Sequence, residues 1–357
     1  MKSNYDILGN HIRLIDTRNR ESITDRVLGI NIDKFFMPSV ANVIGTDLSK
    51  YKLITKGKFA CNPMHVGRDE RLPVALYDEE EPAIVSPAYF MFEVIDNSIL
   101  NEDYLMMWFR RPEFDRICWL HTDGSVRGGI TWDDICRLEL PIPPIEKQFE
   151  IVNSYKAITE RIALKQKIND NLDDTAQTLY QKYFESNSDK PSWKQGTVGD
   201  VLQLQRGHDL PRTEMTGGKY PVAGSTGTIG YHDEFTAEAP VIVMGRSGNI
   251  GNPRLYLCNC WTHNTSLYVK QIYEAEPLWV FYLLKNLNYD GFVGGSAVPT
   301  LNRNDVHAYG IAIPPLELQK SFSQKVMSLI YCKEENLSEI EKLQELQKII
   351  LTTMSSR

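Results

Sequence analysis

Apolar residues along this chain follow two regimes. In two long stretches they recur at helical spacing, and elsewhere they alternate with polar residues in short runs. The first helical stretch, 141–184, opens on Pro141-Ile142-Pro143-Pro144. Ile151, Tyr155, Ile158, Ile162, Ile168, Leu172 and Leu179 then approximate a heptad seam, with Lys165 a polar interruption. A proline in the first helical turn costs no hydrogen bond, so the helix is predicted to start after Pro144. The second stretch, 313–351, carries Phe322, Val326, Leu329, Ile340, Leu343 and Ile350 on one seam, with Leu337 and Leu346 beside it. Helices of this length are too long to be buried in one small domain, but two such seams can bury each other.

The two stretches begin alike. Pro143-Pro144-Ile145-Glu146-Lys147-Gln148 matches Pro314-Pro315-Leu316-Glu317-Leu318-Gln319, and Leu8-Gly9-Asn10-His11-Ile12 is answered by Val198-Gly199-Asp200-Val201-Leu202. The chain therefore reads as two similar modules, each running into a long helix, with 186–191 as the linker between them. Its predicted divisions are 1–144, 145–185, 186–314 and 315–357.

In the first module, a strand-like piece at 7–12 is followed by an Arg-rich polar segment. Alternating or aromatic runs come next, at 33–40, 49–55, 58–61, 74–76, 83–85 and 90–94. Asp78-Glu79-Glu80-Glu81 reads as a solvated acidic turn. A helix is predicted over 101–111, stopped by Pro112, and its counterpart in the second module over 277–285. The glycine-rich loop 121–129 corresponds to 294–299. The module middles differ, since only the second contains Gly224-Ser225-Thr226-Gly227-Thr228-Ile229-Gly230-Tyr231 and Gly245-Arg246-Ser247-Gly248-Asn249-Ile250-Gly251.

Composition changes this picture little. The chain has 357 residues, 42% of them hydrophobic and 24% charged, which is an ordinary globular balance. No apolar run is long enough to span a membrane, and the N-terminus lacks the apolar core of a signal peptide, so a cytoplasmic protein is expected. Six scattered cysteines fit free thiols in a reducing compartment. The net charge of −7 argues against a generic polyanion binder. The acidic excess, however, lies in the globular parts: 22 acidic against 17 basic residues over 1–144, and 12 against 10 over 185–314. Each helical stretch balances at six and six. A local basic patch remains compatible with that total.

Catalytic motifs are hard to find. Gly218-Lys219 continues into Tyr220-Pro221 rather than into the Ser/Thr of a phosphate-binding loop. Gly245-Arg246-Ser247-Gly248 has Asn249 where a nucleophile elbow has its last glycine. The histidines, with His208, His232 and His263 placed in loops, show no ligand spacing. What remains are loops mixing glycine with residues that pair with base edges: Arg with guanine, Asn and Gln with adenine, Ser and Thr with either. The candidate contacts in the second module are Arg206, Lys219, Tyr220, Arg246, Ser247, Asn249, Thr262, Asn264 and Arg303. In the first they are Asn62, Arg68, Arg71, Tyr89 and Arg127.

With both Pro-Pro-x-x-x-Gln helix starts, 220–225, 229–231, 245–251, 265–269 and Ser86-Pro87-Ala88-Tyr89 in place, the sequence resembles the specificity (S) subunit of type I restriction–modification systems. The resemblance covers essentially the whole chain. It implies an α+β fold: two α/β target-recognition domains joined by two long antiparallel helices that form a coiled-coil spacer, as a pseudo-twofold repeat. It also implies a non-catalytic reader of double-stranded DNA in which each module reads half of an asymmetric site. Two methyltransferase subunits and restriction/translocase subunits would be its partners, with S-adenosylmethionine, ATP and Mg²⁺ on those partners rather than on this chain. The first module departs from the second in lacking its glycine motifs. Two other readings stay open: a helical scaffold whose modules bind proteins or glycans, and an enzyme with an unrecognised site.

Overall fold

A computed structural model describes residues 5–41, 43–64, 66–122, 128–289, 293–294 and 300–354, with backbone only for Arg68, Val293 and Gly294. Most of the glycine-rich loop 121–129 and of its counterpart 294–299 lies outside the described residues. The chain forms two units, Met1–Leu164 with Glu339–Arg357, and Lys165–Ser338.

The first unit contains β1 (Tyr5–Ile7), β2 (Ile12–Leu14), β3 (Val27–Ile30), β4 (Phe36–Pro38), β5 (Lys52–Ile54), β6 (Phe59–Cys61), α1 (Val66–Asp69), β7 (Val74–Leu76), β8 (Ala83–Val85), β9 (Phe90–Val94), α2 (Glu102–Phe109), α3 (Pro112–Leu120), α4 (Trp132–Cys136) and β10 (Glu139–Pro141). Strand order is β2-β9-β6-β7 in one sheet and β4-β3-β8-β5 in a second, while β1 pairs antiparallel with β10. The strand-like piece expected at 7–12 is interrupted by a 3-10 turn, Leu8–Asn10. Pro112 does not simply stop a helix. It opens a second one, α3, where its missing N–H is harmless. Phe59 and Phe92 stack at 5.0 Å in the core, and Phe109 and Phe114 close over them. Lys34 is buried beside Phe114 and pairs with Asp115 at 2.7 Å, and burial lowers its pKa.

The long helix α5 (Ile145–Tyr180) runs out of the first module and ends in a wider five-residue turn, Gln181–Glu185. The second unit adds β11 (Lys194–Thr197), β12 (Leu202–Arg206), β13 (Tyr220–Gly224), β14 (Gly227–His232), β15 (Val241–Gly245), β16 (Gly251–Tyr256), β17 (Trp261–Thr262), β18 (Ser266–Ile272), α6 (Pro277–Asn286), β19 (Val293–Gly294), β20 (Thr300–Leu301), α7 (Arg303–His307) and β21 (Gly310–Ile313), and then the long helix α8 (Leu316–Thr353). Its main sheet is β12-β18-β15-β16, beside β14-β13-β17. The β11–β21 pair repeats β1–β10. Leu8 N–H donates to Leu138 O and Val198 N–H to Tyr309 O, so the Leu8 and Val198 turns sit alike. Each turn sets a glycine against a short helix late in its module, α4 or α7. A Cβ on Gly9 would lie 2.9 Å from Cβ of Cys136, and one on Gly199 would lie 3.2 Å from the His307 carbonyl.

The repeated glutamine explains the repeated helix start. Gln148 is buried; its Oε1 accepts from the Asn101 N–H at 2.9 Å, and its Nε2 donates to the carbonyls of Ile99 and Pro143, both at 2.8 Å. Gln319 does the same in its own unit. Its Oε1 accepts from Glu276 N–H at 2.9 Å and its Nε2 donates to Pro314 O at 2.8 Å. Asn101 and Glu276 are the residues just before α2 and α6, so each glutamine ties a long helix to the start of a module helix.

Within each unit α5 and α8 pack antiparallel. Thr159 meets Gln347 and Arg161 meets Glu339 in the first unit; Lys165 meets Asn336, and Tyr180 and Phe184 meet Phe322, in the second. Every position of an unbroken 3-4 spacing is buried or half-buried: 148, 151, 155, 158, 162, 165, 169, 172, 176, 179 on α5 and 319, 322, 326, 329, 333, 336, 340, 343, 347, 350 on α8, continuing to 354 just past its end. Ile168 was expected on this seam, yet it is 38% exposed while Asn169 is buried. The heptad places position 169 inward, and an asparagine there finds a partner in Asn336.

Candidate nucleic-acid interface

The second unit brings three of the candidate residues together. Arg206 ends β12 opposite Leu267, Arg246 directly follows β15, and Arg303 opens α7. All three line one concavity of about 490 Å³, with Leu267, Thr300, Leu301 and Asn302.

Backbone bonds hold this arrangement. Arg246 N–H donates to Thr265 O at 3.0 Å, and its carbonyl accepts from Leu301 N–H at 2.9 Å. The glycine motif 245–251 folds tightly back on itself. A Cβ on Gly245 would fall 1.5 Å from the Asn249 carbonyl, a contact no other residue survives. Asn302 caps α7 by accepting from Asn304 N–H at 3.0 Å, which sets where Arg303 leaves the helix. Among the described residues no carboxylate or carbonyl accepts from the guanidinium groups of Arg206, Arg246 or Arg303.

Other candidates lie apart from this pocket or are engaged. Lys219 sits over the Tyr220 ring at 5.4 Å, and Tyr220 packs edge-on against Phe235. Ser247 contributes backbone bonds to Thr265 and a bridge to Thr300. Asn249 is a turn-former: its Nδ2 donates to Ser225 O at 3.2 Å and its Oδ1 accepts from Asn252 at 2.8 Å. Asn264 donates to Asp209. Thr262 is fully buried with its hydroxyl against that of Thr236 at 2.9 Å, so it faces the core and reaches no ligand.

The described first-module candidates, Asn62, Arg71 and Tyr89, are engaged separately. Arg71 is paired with Asp33 at 2.8 Å, Asn62 accepts from Met64 N–H in the turn before α1, and Tyr89 is half-buried against the second core cluster of its unit. The Arg68 side chain and Arg127 lie outside the described residues.

Burial pushes the Cys118 and Cys260 thiols up to about 12, far from a reactive thiolate. Among the described residues no cluster of His, Cys, Asp and Glu has metal-holding geometry, and no helix is long and apolar enough to cross a membrane. Sequence reading missed Asn302 and His307. The cap was legible in the Asn302–Asp305 spacing; the histidine was not.

Comparison with known proteins gives likenesses in sequence and in fold. Residues 191–349 match a family model described as the type I restriction modification DNA specificity domain. The putative type I restriction enzyme MjaX specificity subunit of Methanocaldococcus jannaschii is 21% identical over 397 residues, covering 98% of this chain and 88% of its own length. The type I restriction-modification S subunit from M. genitalium superposes with a TM-score of 0.63 at 15% identity, over 99% of this chain and 96% of its own. A chain from a structural study of complex assembly and conformational transition of the type I R-M system gives 0.51 at 16% identity, over 98% and 96%. At such identities the superpositions speak for the fold.

Proposed function

Because residues 191–349 match the type I restriction modification DNA specificity domain and nearly the whole chain is similar to type I specificity subunits, we propose that it is the reader of double-stranded DNA in such a complex, without a catalytic step of its own. The observation that carries this reading is that Arg206, Arg246 and Arg303 line one pocket in which, among the described residues, no carboxylate or carbonyl accepts from their guanidinium groups. Phosphates or guanine edges take up guanidinium donors of this kind, two at a time, which suits a DNA surface.

Each module, 1–144 and 186–314, reads one half of an asymmetric bipartite site. The divergent module middles support two different half-sites. The helical segments 145–185 and 315–357 set the spacing. Their exposed apolar side chains, Leu164, Leu337, Leu346 and Ile349 among them, offer a surface for two methyltransferase subunits, to which restriction/translocase subunits are added. S-adenosylmethionine, ATP and Mg²⁺ act on those partners, in the cytoplasm. A target adenine would reach the methyltransferase by base flipping.

Methylation-site mapping in cells with and without this gene tests the proposal. Loss of one bipartite motif on deletion is expected. An unchanged methylome with the methyltransferase subunits expressed overturns it in favour of a scaffold that binds other ligands.

A further inference from the structure

The edge strand β12 offers an outward backbone donor at Leu204, and His307 takes it. Leu204 N–H donates to Nε2 of the His307 imidazole at 2.8 Å. This bond joins two of the three elements that carry the arginine pocket. Arg206 lies two residues beyond Leu204 on β12, and Arg303 lies one turn before His307 on α7. It also sits where the β12–β18 register shifts, between Gln203 and Leu204, so the ladder is least able to hold the strand there unaided.

An Nε2 that accepts must be unprotonated, with its ring proton on Nδ1. A protonated imidazole has only donors, and the Leu204 N–H would then face another N–H. Burial first, and then the Arg303 guanidinium, hold the His307 pKa below its ordinary 6.5. The neutral latch is therefore intact at neutral pH and opens as pH falls below that value. The charged groups on the elements packed against α7 are Arg206 on β12 and Asp200 on the 198–200 turn, with Asp305 on α7 itself. The Asp200 carboxylate is taken by the N–H and hydroxyl of Thr197.

The first module has the same frame without the latch. There Gly9 abuts Cys136, as Gly199 abuts His307, and Cys136 ends the matching short helix α4. Cys136 makes no such bond to a strand.

Resting on the DNA-reading function, we propose that His307 is a positioning residue that fixes Arg206 and Arg303 relative to each other, making recognition by the second module alone sensitive to acid. Lowering the pH weakens reading of one half-site and spares the other.

The test uses the full chain co-expressed with its methyltransferase subunits and duplexes carrying the mapped bipartite site, with binding measured from about pH 8 to about pH 5.5. For the wild type, the affinity penalty for base changes in the half-site relaxed by Arg246→Ala should shrink as pH falls, and the penalty in the other half-site should hold. His307→Gln, whose carboxamide oxygen accepts at any pH, should bind at neutral pH and lose the acid-dependent part, about three- to tenfold, the scale of one net hydrogen bond. Equal pH profiles in the wild type and His307→Gln, or equal acid sensitivity of both half-sites in the wild type, overturn the latch. Absence of site-specific binding by the wild-type complex at every pH overturns the DNA reading itself.

Discussion

Asn336 donates through Nδ2 to Oδ1 of Asn169 at 2.9 Å, inside the seam between α5 and α8. Lys165 Nζ donates to Oδ1 of Asn336 at 2.8 Å, and Lys333 pairs with Asp173 beside them. A polar layer in an otherwise apolar seam is satisfied in one register only, since sliding either helix by a heptad leaves buried amides without partners. Asn336→Leu alone leaves the buried Asn169 carboxamide without this partner and should cost about 1–3 kcal/mol. Asn169→Leu with Asn336→Leu should recover most of that, with a coupling of about 0.5–3 kcal/mol. Chemical denaturation of the two single variants and the double variant measures the cycle. Additive losses would mean that the pair is not coupled.

Gln148 and Gln319 carry the same load in different units, so their substitutions should be separable. Gln148→Leu removes the partner of the Asn101 N–H and of the Ile99 and Pro143 carbonyls, at about 1–3 kcal/mol for each group that water does not reach. Protection of the α2 amides from hydrogen exchange should fall while that of α6 holds; Gln319→Leu should give the reverse. Equal loss in both units from one substitution would count against two independently clamped modules.

Much of this was legible because it repeats. The two Pro-Pro-x-x-x-Gln starts pointed to two modules, and the structure gives the reason in the Gln148 and Gln319 clamps. The seam was legible only where it is apolar. Hydrophobicity as the mark of a seam points to Ile168, whereas the geometry selects Asn169, whose polarity is hidden by its partner Asn336 on a distant stretch of chain. The site divides in the same way. Arg206, Arg246 and Arg303 are separated by 40 and 57 residues, and only folding shows that they meet. Thr262 and Asn249 have the composition of contact residues but are used up by Thr236 and by the turn. His307 had no sequence signal, because its role depends on an edge strand about a hundred residues away.

Arg246 is held by its backbone on both sides, so its side chain can be changed without moving the loop. If it pairs with a guanine, Arg246→Ala should cost about 1–3 kcal/mol and relax specificity at one base pair. Arg246→Lys should not restore it, because a lysine lacks the two-pronged donor. If the loss is uniform across sequences and the salt dependence falls by about one counterion, Arg246 contacts a phosphate instead. Methylome mapping with each variant separates these outcomes.

Helix length should be read out directly in the DNA site. Insertion of a whole heptad continues the 3-4 seam without a change of supercoil, whereas three or four residues overwind or unwind it locally. Seven residues added to α5 between Ile158 and Ile162, with seven added opposite them in α8 between Leu343 and Gln347, keep the Asn169–Asn336 layer intact. At 1.5 Å per residue this adds about 10 Å. With base pairs about 3.4 Å apart, the spacer between half-sites should lengthen by about three base pairs. The half-sites themselves should not change, since no module residue is touched. The same insertion in α5 alone moves Asn169 out of line with Asn336 and should cost stability rather than lengthen the spacer. Mapping the methylated motif of the doubly extended chain decides the matter. A site with the original spacer would mean that something other than the helix pair measures the distance.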